Sequence, residues 1–445
     1  MGDGAMMTVP DGLLGAALAA ETIGLSCALV NGPGGCRSRM QTLLHDLAPG
    51  IHDGTACCRS SFFSRQQHLP CTFLDDEDLV FGSEDKVSEA VRTVTSITGR
   101  RPLVVDTLAA SMHCYDSPSD TISIAEDLSE MGFSEGYDTA ACAILAETDL
   151  DGGNDGSVNI LGYGVTDLGW KQGSREIERL LALMGVKINC VLGCMPDPDV
   201  AKGLGKAALN IMVRPELCRR TSDHLEKRFG IPSLRPTAGA PVGYPSTRSF
   251  VREVADAMGA DPSPALEFID EEAKSVHSEL NGYDRAIRGL HSKGFAIVGE
   301  SSTTYPLMRW LMESFGMAPF SVELLDSEYE RETLDLLESS GFSDAVGGPD
   351  HDSEIVFCDG LRALEGRLNQ PFLSFVETGM PYGRMVNLVG RTLVGTTGCR
   401  YILDEMMNGL IRFRCGQPTD PELLPKAQRH CMHRKTYSIL PNNLQ

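Results

Sequence analysis

Short apolar runs of strand length alternate with amphipathic helical stretches along most of this chain, and glycine and proline mark the junctions. That alternation is the strongest constraint on the fold. A strand, a crossing helix and a second strand return the chain in the same direction, so the sheets are parallel and helices cover their faces. The 445 residues allow several such layers, at roughly 100–200 residues each. The pattern falls into three blocks. The fold class is therefore α/β: three Rossmann-like domains with parallel sheets, at 1–152, 153–288 and 289–412, followed by a C-terminal tail at 413–445.

In the first block the spacing predicts strands near 27–30, 103–107 and 140–145. The run Asp151-Gly152-Gly153-Asn154-Asp155-Gly156 reads as the linker to the second block. There, strands are expected at 158–161, 188–192 and 209–213. One helix has Ser174 as N-cap, Ile177, Leu180, Leu181 and Met184 on one face, and Gly185 past its end. Another has Pro215 early and stops at Gly230. A helical stretch over 264–292 leads to the third block, with strands at 295–298, 321–325, 355–358 and 372–375. Ser327 and Glu330 have capping-box spacing, and a last helix is expected over 397–411.

In such sheets ligands bind beyond the carboxyl ends of strands, in clefts between domains. Glu300, Ser301, Ser302 and Thr303 follow the first strand of the third block and lead into a helix, a polar turn suited to an anion. Glu377 and Thr378 follow another strand and would face the same cleft. These six are the substrate-cleft candidates; the competing reading is a surface loop and a helix cap. His113 and Cys114 lie just beyond a strand of the first block and are candidate proton donors.

Charge and apolar patterning narrow the partners. The net charge of −22 argues against nucleic acid or an anionic membrane, which need clustered positive charge. The longest apolar stretch, at 13–30, is interrupted by Glu21 and Thr22, so no membrane span is expected. Without a basic leader, the expected location is cytoplasmic. Fourteen cysteines in a long chain of this kind suggest thiol, metal or redox work for a few, while most pack as small apolar side chains. His430, Cys431 and His433 with Cys415 lack the paired spacing of a structural zinc site. Adjacent Cys57 and Cys58 read as part of a loop.

Two segments carry a sharper signal. Asn31-Gly32-Pro33-Gly34-Gly35-Cys36 follows an apolar strand. Its glycines and proline make a tight turn through which backbone amides and a thiolate can approach a ligand. Such a loop could cradle a phosphate, present Cys36 to a metal cluster, or simply join strand to helix. The second runs from Cys71 through Asp78-Leu79-Val80-Phe81-Gly82-Ser83-Glu84, with Ser83 capping an acidic helix start. Cys71 is either a second cluster thiolate or a buried cysteine before a solvated loop.

In this order and separation the two segments resemble the nitrogenase component 1 family, whose pattern is a Gly-Pro-x-Gly-Cys turn followed by Asp-x-Val-Phe-Gly-Gly-Glu or close to it. Softer similarities lie at Asn159-Ile160-Leu161-Gly162, Phe229-Gly230-Ile231-Pro232 and Phe295-Ala296-Ile297-Val298-Gly299, so the resemblance spans about residues 10 to 412. It implies the catalytic component of a two-component reductase. A separate iron-protein-like ATPase delivers electrons through an iron–sulfur cluster to a substrate in the interdomain cleft. ATP enters only through that partner; Gly203-Leu204-Gly205-Lys206-Ala207 here lacks the glycine and hydroxyl of a phosphate loop.

The sequence departs from the nitrogenase pattern at the other two cluster cysteines. Pro10-Asp11-Gly12 stands at the first position and Thr107-Leu108-Ala109 at the third. That points away from an eight-iron cluster and from dinitrogen reduction. Cys36 and Cys71 remain, with Gly34 and Gly35 beside them, and Asp11 is a further candidate ligand. Two thiolates per subunit make four in a dimer, homodimeric or with a related subunit, enough for one 4Fe–4S cluster at the interface. A tetrapyrrole-type substrate is the branch this resembles most. The alternatives are a metallocofactor scaffold without turnover, or a partner subunit that completes another chain's site.

Overall fold

Runs of β-branched and aliphatic residues with no polar face must be covered on both sides, and here they form parallel strands between helices. The structure is a computed structural model that describes residues 10–47, 69–111, 118–281, 293–347, 353–370, 373–382 and 389–416. Its strands form three parallel sheets, one per block.

In the first sheet β1 (Cys27–Asn31), buried throughout, pairs with β2 (Pro102–Asp106) in the register Cys27 to Pro102 through Asn31 to Asp106. Single bridges widen it on both edges, from Val30 to Cys71 and from Leu103 to Ile122. Before β1 runs α1 (Gly12–Thr22), almost entirely buried. After β1 comes α2 (Gly34–Leu47). Past the bridge at Cys71 lie α3 (Asp76–Phe81) and α4 (Glu84–Thr98), and β2 leads into the short α5 (Leu108–Ser111). Ser83 occupies the N-cap position of α4 but makes no side-chain cap bond.

The strand expected at 140–145 is instead the interior of α6 (Phe133–Ala146). Ala140, Ala141, Ala143 and Ala146 are strong helix formers, and only Ile144 in that run is β-branched. α6 packs along α1 with almost no separation. A Cβ on Gly15 would lie 2.2 Å from the Phe133 carbonyl oxygen, and one on Gly136 would lie 2.3 Å from that of Gly12.

The second sheet has the order β4-β3-β5-β6, with β3 (Val158–Leu161), β4 (Ile188–Val191), β5 (Leu209–Met212) and β6 (Ser233–Leu234). Its helices are α7 (Trp170–Leu183), α8 (Pro198–Lys202), α9 (Arg219–Phe229), α10 (Tyr244–Met258) and α11 (Ser263–Asn281). α7 starts a turn before Ser174: Gly169, in the left-handed region at φ 57°, is its N-cap, and Ser174 Oγ instead meets Cys194 Sγ at 3.2 Å. Gly185 (φ 74°) and Gly230 (φ 72°) follow α7 and α9 as expected. Pro215 opens a separate 3-10 turn ahead of α9. The linker is pinned to the second block by the ion pair of Asp151 with Lys206, at 2.6 Å.

The third sheet has the order β10-β9-β7-β8: β7 (Gly294–Gly299), β8 (Ala318–Leu324), β9 (Ile355–Asp359) and β10 (Ser374–Gly379), the last beginning later than the apolar run suggested. Helices α12 (Ser301–Phe315), α13 (Glu330–Ser340), α14 (Gly360–Asn369) and α15 (Gly395–Gly416) cover it. The expected capping box is not formed. α13 is preceded by Tyr329 without a side-chain cap, and Ser327 only offers its carbonyl to the Glu330 N–H.

The blocks are not separate cores. One buried cluster joins the second and third sheets, from Val158 to Leu410, and another joins the first sheet to Leu161, Cys190 and Leu225 of the second. Asp138 on α6 strengthens that junction: its carboxylate accepts the N–H groups of Arg220 and Thr221 in the first turn of α9. Among the described residues no helix is long and apolar enough to cross a membrane.

Candidate functional site

The cysteine turn is built by hydrogen bonds that tie three segments to the end of β1. Buried Asn31 donates to Asp106 at 2.7 Å and accepts the Thr72 hydroxyl at 2.9 Å. Thr72 Oγ1 in turn accepts the Gly32 N–H at 3.0 Å, and the Thr107 hydroxyl donates to the Asn31 carbonyl at 3.0 Å. Gly32 must be glycine, since a Cβ would sit 2.2 Å from Thr107 Oγ1. The segment with Cys71 runs beside β1 and the turn: Val30 N–H donates to Pro70 O, Thr72 N–H to Val30 O, and Leu74 N–H to Gly32 O.

Cys36 therefore stands in the first turn of α2 while Cys71 lies alongside Val30, both half-buried. Cys71 Sγ contacts Gly32 O at 3.2 Å and accepts the Phe73 N–H at 3.3 Å. Burial raises the Cys71 pKa, the Phe73 amide and Arg37 oppose that rise, and Cys36 adds to it. Phe73, a non-glycine residue at φ 53°, lays its ring over Gly34, where a Cβ would meet it at 3.0 Å. Among the described residues nothing lies within 4 Å of a Cβ on Gly35, beside Cys36. Phe73, Val80 and Phe81 in the segment after Cys71, and Leu108 after β2, are exposed large apolar side chains.

Asp11 is brought toward α2 but is already engaged. One oxygen accepts the Leu14 N–H as the N-cap of α1, and the other is 3.4 Å from Arg39. Among the described residues no group of three or more His, Cys, Asp or Glu side chains converges as a metal site. Residues 57–58, 113–114 and 430–433 lie outside the described residues.

A second feature is a cavity of about 750 Å³ where the three blocks meet. Pro10 and the start of α6 form one wall, Glu216, Arg219 and Arg220 another, and Glu300, Asp326, Glu328, Asp359 and Arg362 the third. Its third-block walls follow the ends of β7, β8 and β9, as expected for an open parallel sheet. Its arginines are paired: Arg219 with Glu328, Arg220 with Glu126 and Glu135, Arg362 with Glu323 and Asp359.

Beside the cavity lies a buried ion cluster. Arg214, 5% exposed, contacts Asp167 at 3.3 Å, Glu216 at 3.1 Å and Glu300 at 3.0 Å. Three carboxylates around one guanidinium leave an excess of negative charge away from water, which favours proton uptake. Burial pushes Glu216 up to about 7; Asp326 and Glu300 add to this, and Arg214 and the Ser302 hydroxyl oppose it. Burial likewise raises Asp167 against the pull of Arg214.

Of the six cleft candidates only Glu300 lines the cavity. Ser301 gives its N–H to Asp326 at 2.7 Å and its hydroxyl to the same carboxylate, and Ser302 donates to Glu216 at 2.7 Å. Thr303 is buried one residue further on. The start of α12 is thus filled by the protein's own carboxylates rather than left open to an anion. Glu377 is 1% exposed at its side chain and paired with Arg367 at 2.9 Å; Thr378 is buried, and neither lines the cavity. Arg214 and Glu216 went unmarked in the sequence although they stand directly after β5, where the rule of strand carboxyl ends would have found them.

Layers of parallel sheet that meet around a cavity, with a cysteine turn on the first of them, define an α/β protein with its cleft between sheets. Residues 123–411, more than half of the chain, match the nitrogenase component 1 type oxidoreductase family, and the protein belongs to that family. One subunit of the light-independent protochlorophyllide reductase of Methylobacterium sp. (strain 4-46) is 32% identical over 196 residues, 43% of this chain and 36% of that protein. Its counterpart in Rhodospirillum rubrum is 32% identical over 178 residues, 39% of this chain and 30% of that protein. The matched region spans about a third of the length of these curated relatives. The solved structure of nitrogenase Cp1 at pH 6.5 superposes with a TM-score of 0.72 over 96% of this chain and 98% of that one, at 18% identity, a likeness of fold.

Proposed function

We propose that this protein is the catalytic component of a nitrogenase-like two-component reductase. It takes electrons from an ATP-hydrolysing iron-protein partner at an iron–sulfur site and reduces a substrate in the interdomain cavity. The observation that carries the reading is Cys71 Sγ at 3.2 Å from Gly32 O, in the turn that leads from β1 to Cys36. Two sulfurs of one chain fit half of the four-thiolate set of a 4Fe–4S cluster. Cys36 and Cys71 would hold that half, and a second copy or a related subunit the other. Bound there, the cluster would supply one-electron transfer. Burial holds the Cys71 pKa above its ordinary value, and the Phe73 N–H and Arg37 offset only part of that rise, so the thiolate that binds metal would form as the metal displaces the proton. That second subunit would cover Phe73, Val80, Phe81 and Leu108, which are exposed in the segments that follow Cys71 and β2.

A tetrapyrrole is the substrate class this reading favours. The two bacterial relatives are subunits of a light-independent protochlorophyllide reductase, and a cavity of about 750 Å³ lies within the usual range for small-molecule sites. The deciding experiment is iron and acid-labile sulfide per chain in protein handled without oxygen. About two irons per chain support one shared 4Fe–4S cluster, and Cys36→Ala and Cys71→Ala should each abolish it. Iron retained in both variants, or none in the wild type after reconstitution, overturns the cluster site. The second result favours a scaffold or partner subunit.

A further inference from the structure

We propose that Glu216 is the proton donor to the substrate in the interdomain cavity, acting through its Oε2; this deepens the reductase reading above and rests on it. Glu216 lines the cavity, yet its residue is only 8% exposed. Its Oε1 accepts from Arg214 Nε at 3.1 Å and from the Ser302 hydroxyl at 2.7 Å, so the carboxyl group is fixed in place. Its Oε2 is buried and has no hydrogen-bond partner among the described residues. A buried carboxylate oxygen without a donor is costly, whereas a protonated one can give its hydrogen to a ligand.

The neighbouring carboxylates are occupied by donors. Asp167 Oδ1 faces Arg214 and its Oδ2 accepts the Gly164 N–H at 2.9 Å. Asp326 accepts from Ser301 on one oxygen and from the Glu328 N–H, at 2.9 Å, on the other. Glu300 is held by Arg214. The groups that act on Glu216 are Arg214 and Cys218 of its own segment, Glu300 at the start of α12, and Asp326 and Tyr329 after β8. Asp167 meets the same guanidinium.

The substrate of this step carries a conjugated carbon–carbon or carbon–nitrogen double bond. Two electrons arrive singly from a low-potential iron–sulfur reductase. One proton leaves Glu216 Oε2 as its O–H bond breaks and a C–H or N–H bond forms, which leaves the carboxylate. The second proton comes from solvent, and water reprotonates Glu216 through the cavity mouth. Donation requires the neutral carboxyl, so turnover falls as pH rises through about 7.

The test is Glu216→Gln in the full complex with an iron-protein partner, with protochlorophyllide as the probe substrate. Glutamine keeps the shape and the Oε1 acceptor but has no proton to give. The expected result is unchanged iron content, a kcat about a hundredfold lower or more, and loss of the alkaline fall in the residual rate. A variant with kcat within about threefold of wild type and the same pH profile overturns the donor role. Infrared titration of the protein alone gives an independent readout. A protonated-carboxyl band that titrates near 7 in the wild type and is missing from the variant supports Glu216 as the proton holder; identical spectra overturn it. Iron-loaded wild type without turnover of protochlorophyllide overturns the tetrapyrrole reading instead, and the infrared arm then decides for Glu216.

Discussion

Glu216→Gln also makes a prediction about stability that needs neither partner nor substrate. A carboxyl raised from 4.5 in the unfolded chain to about 7 in the fold loses about 1.4 kcal/mol of native stability per pH unit between those values, about 3 kcal/mol in all. The sign follows from which state ionises first. Below 4.5 the group is neutral in both states and there is no penalty. As pH rises, the unfolded chain ionises before the native one, so the wild type weakens until about pH 7 and is level above it. Glutamine resembles the neutral form at every pH. The variant should therefore exceed the wild type by under about 1 kcal/mol at pH 5 and by about 3 kcal/mol at pH 8. Urea-unfolding midpoints of the two proteins, measured side by side at both pH values, give the double difference, and other titrating groups cancel to first order. An equal difference at both pH values, or a variant weaker at pH 8, would refute the buried-proton argument.

Four further changes test the framework around the sites. Arg214→Met leaves Asp167, Glu216 and Glu300 facing one another in a site that is 5% exposed at the arginine, and should cost about 3–5 kcal/mol in thermal unfolding; a loss under about 1 kcal/mol would show that the carboxylates relax into water. Gly15→Ala places a methyl 2.2 Å from the Phe133 carbonyl oxygen and 2.8 Å from the Tyr137 nitrogen, so α1 and α6 must separate, with a cost of about 1–3 kcal/mol or more. Gly35→Ala, with nothing within 4 Å among the described residues, should unfold at or above the wild-type temperature. Asp11→Asn keeps the cap on Leu14 and loses only the exposed pair with Arg39, so stability should stay within about 0.5 kcal/mol. Bound iron should also be unchanged, and a drop in iron content would give Asp11 a ligand role.

The sequence carried the parallel α/β architecture because that information is local. Buried runs such as Val158–Leu161 and Ile355–Asp359 read as strands, and Gly185 and Gly230 read as helix ends because the left-handed backbone there suits glycine. The turn from Asn31 to Cys36 was legible for the same reason: the strand end, the tight turn and the thiol are contiguous. The strand expected at 140–145 failed because an apolar run of that length suits either a buried strand or a buried helix. Its alanines and the glycine seam with α1 decided for the helix.

What the sequence alone determined, then, was each element whose signal lies within a few residues, together with Cys36 and Cys71 as candidates. The tertiary structure decided which distant residues meet. It set Cys71 beside Val30, bound Asp11 into a cap and an ion pair, and closed the start of α12 with Asp326. It also drew Asp167, Arg214, Glu216 and Glu300 into one water-poor cluster at the wall of the cavity. The physical reason is that helix and strand signals act over a turn or a pleat. The burial of a carboxyl group such as Glu216 depends instead on how completely three packed sheet layers exclude water around it.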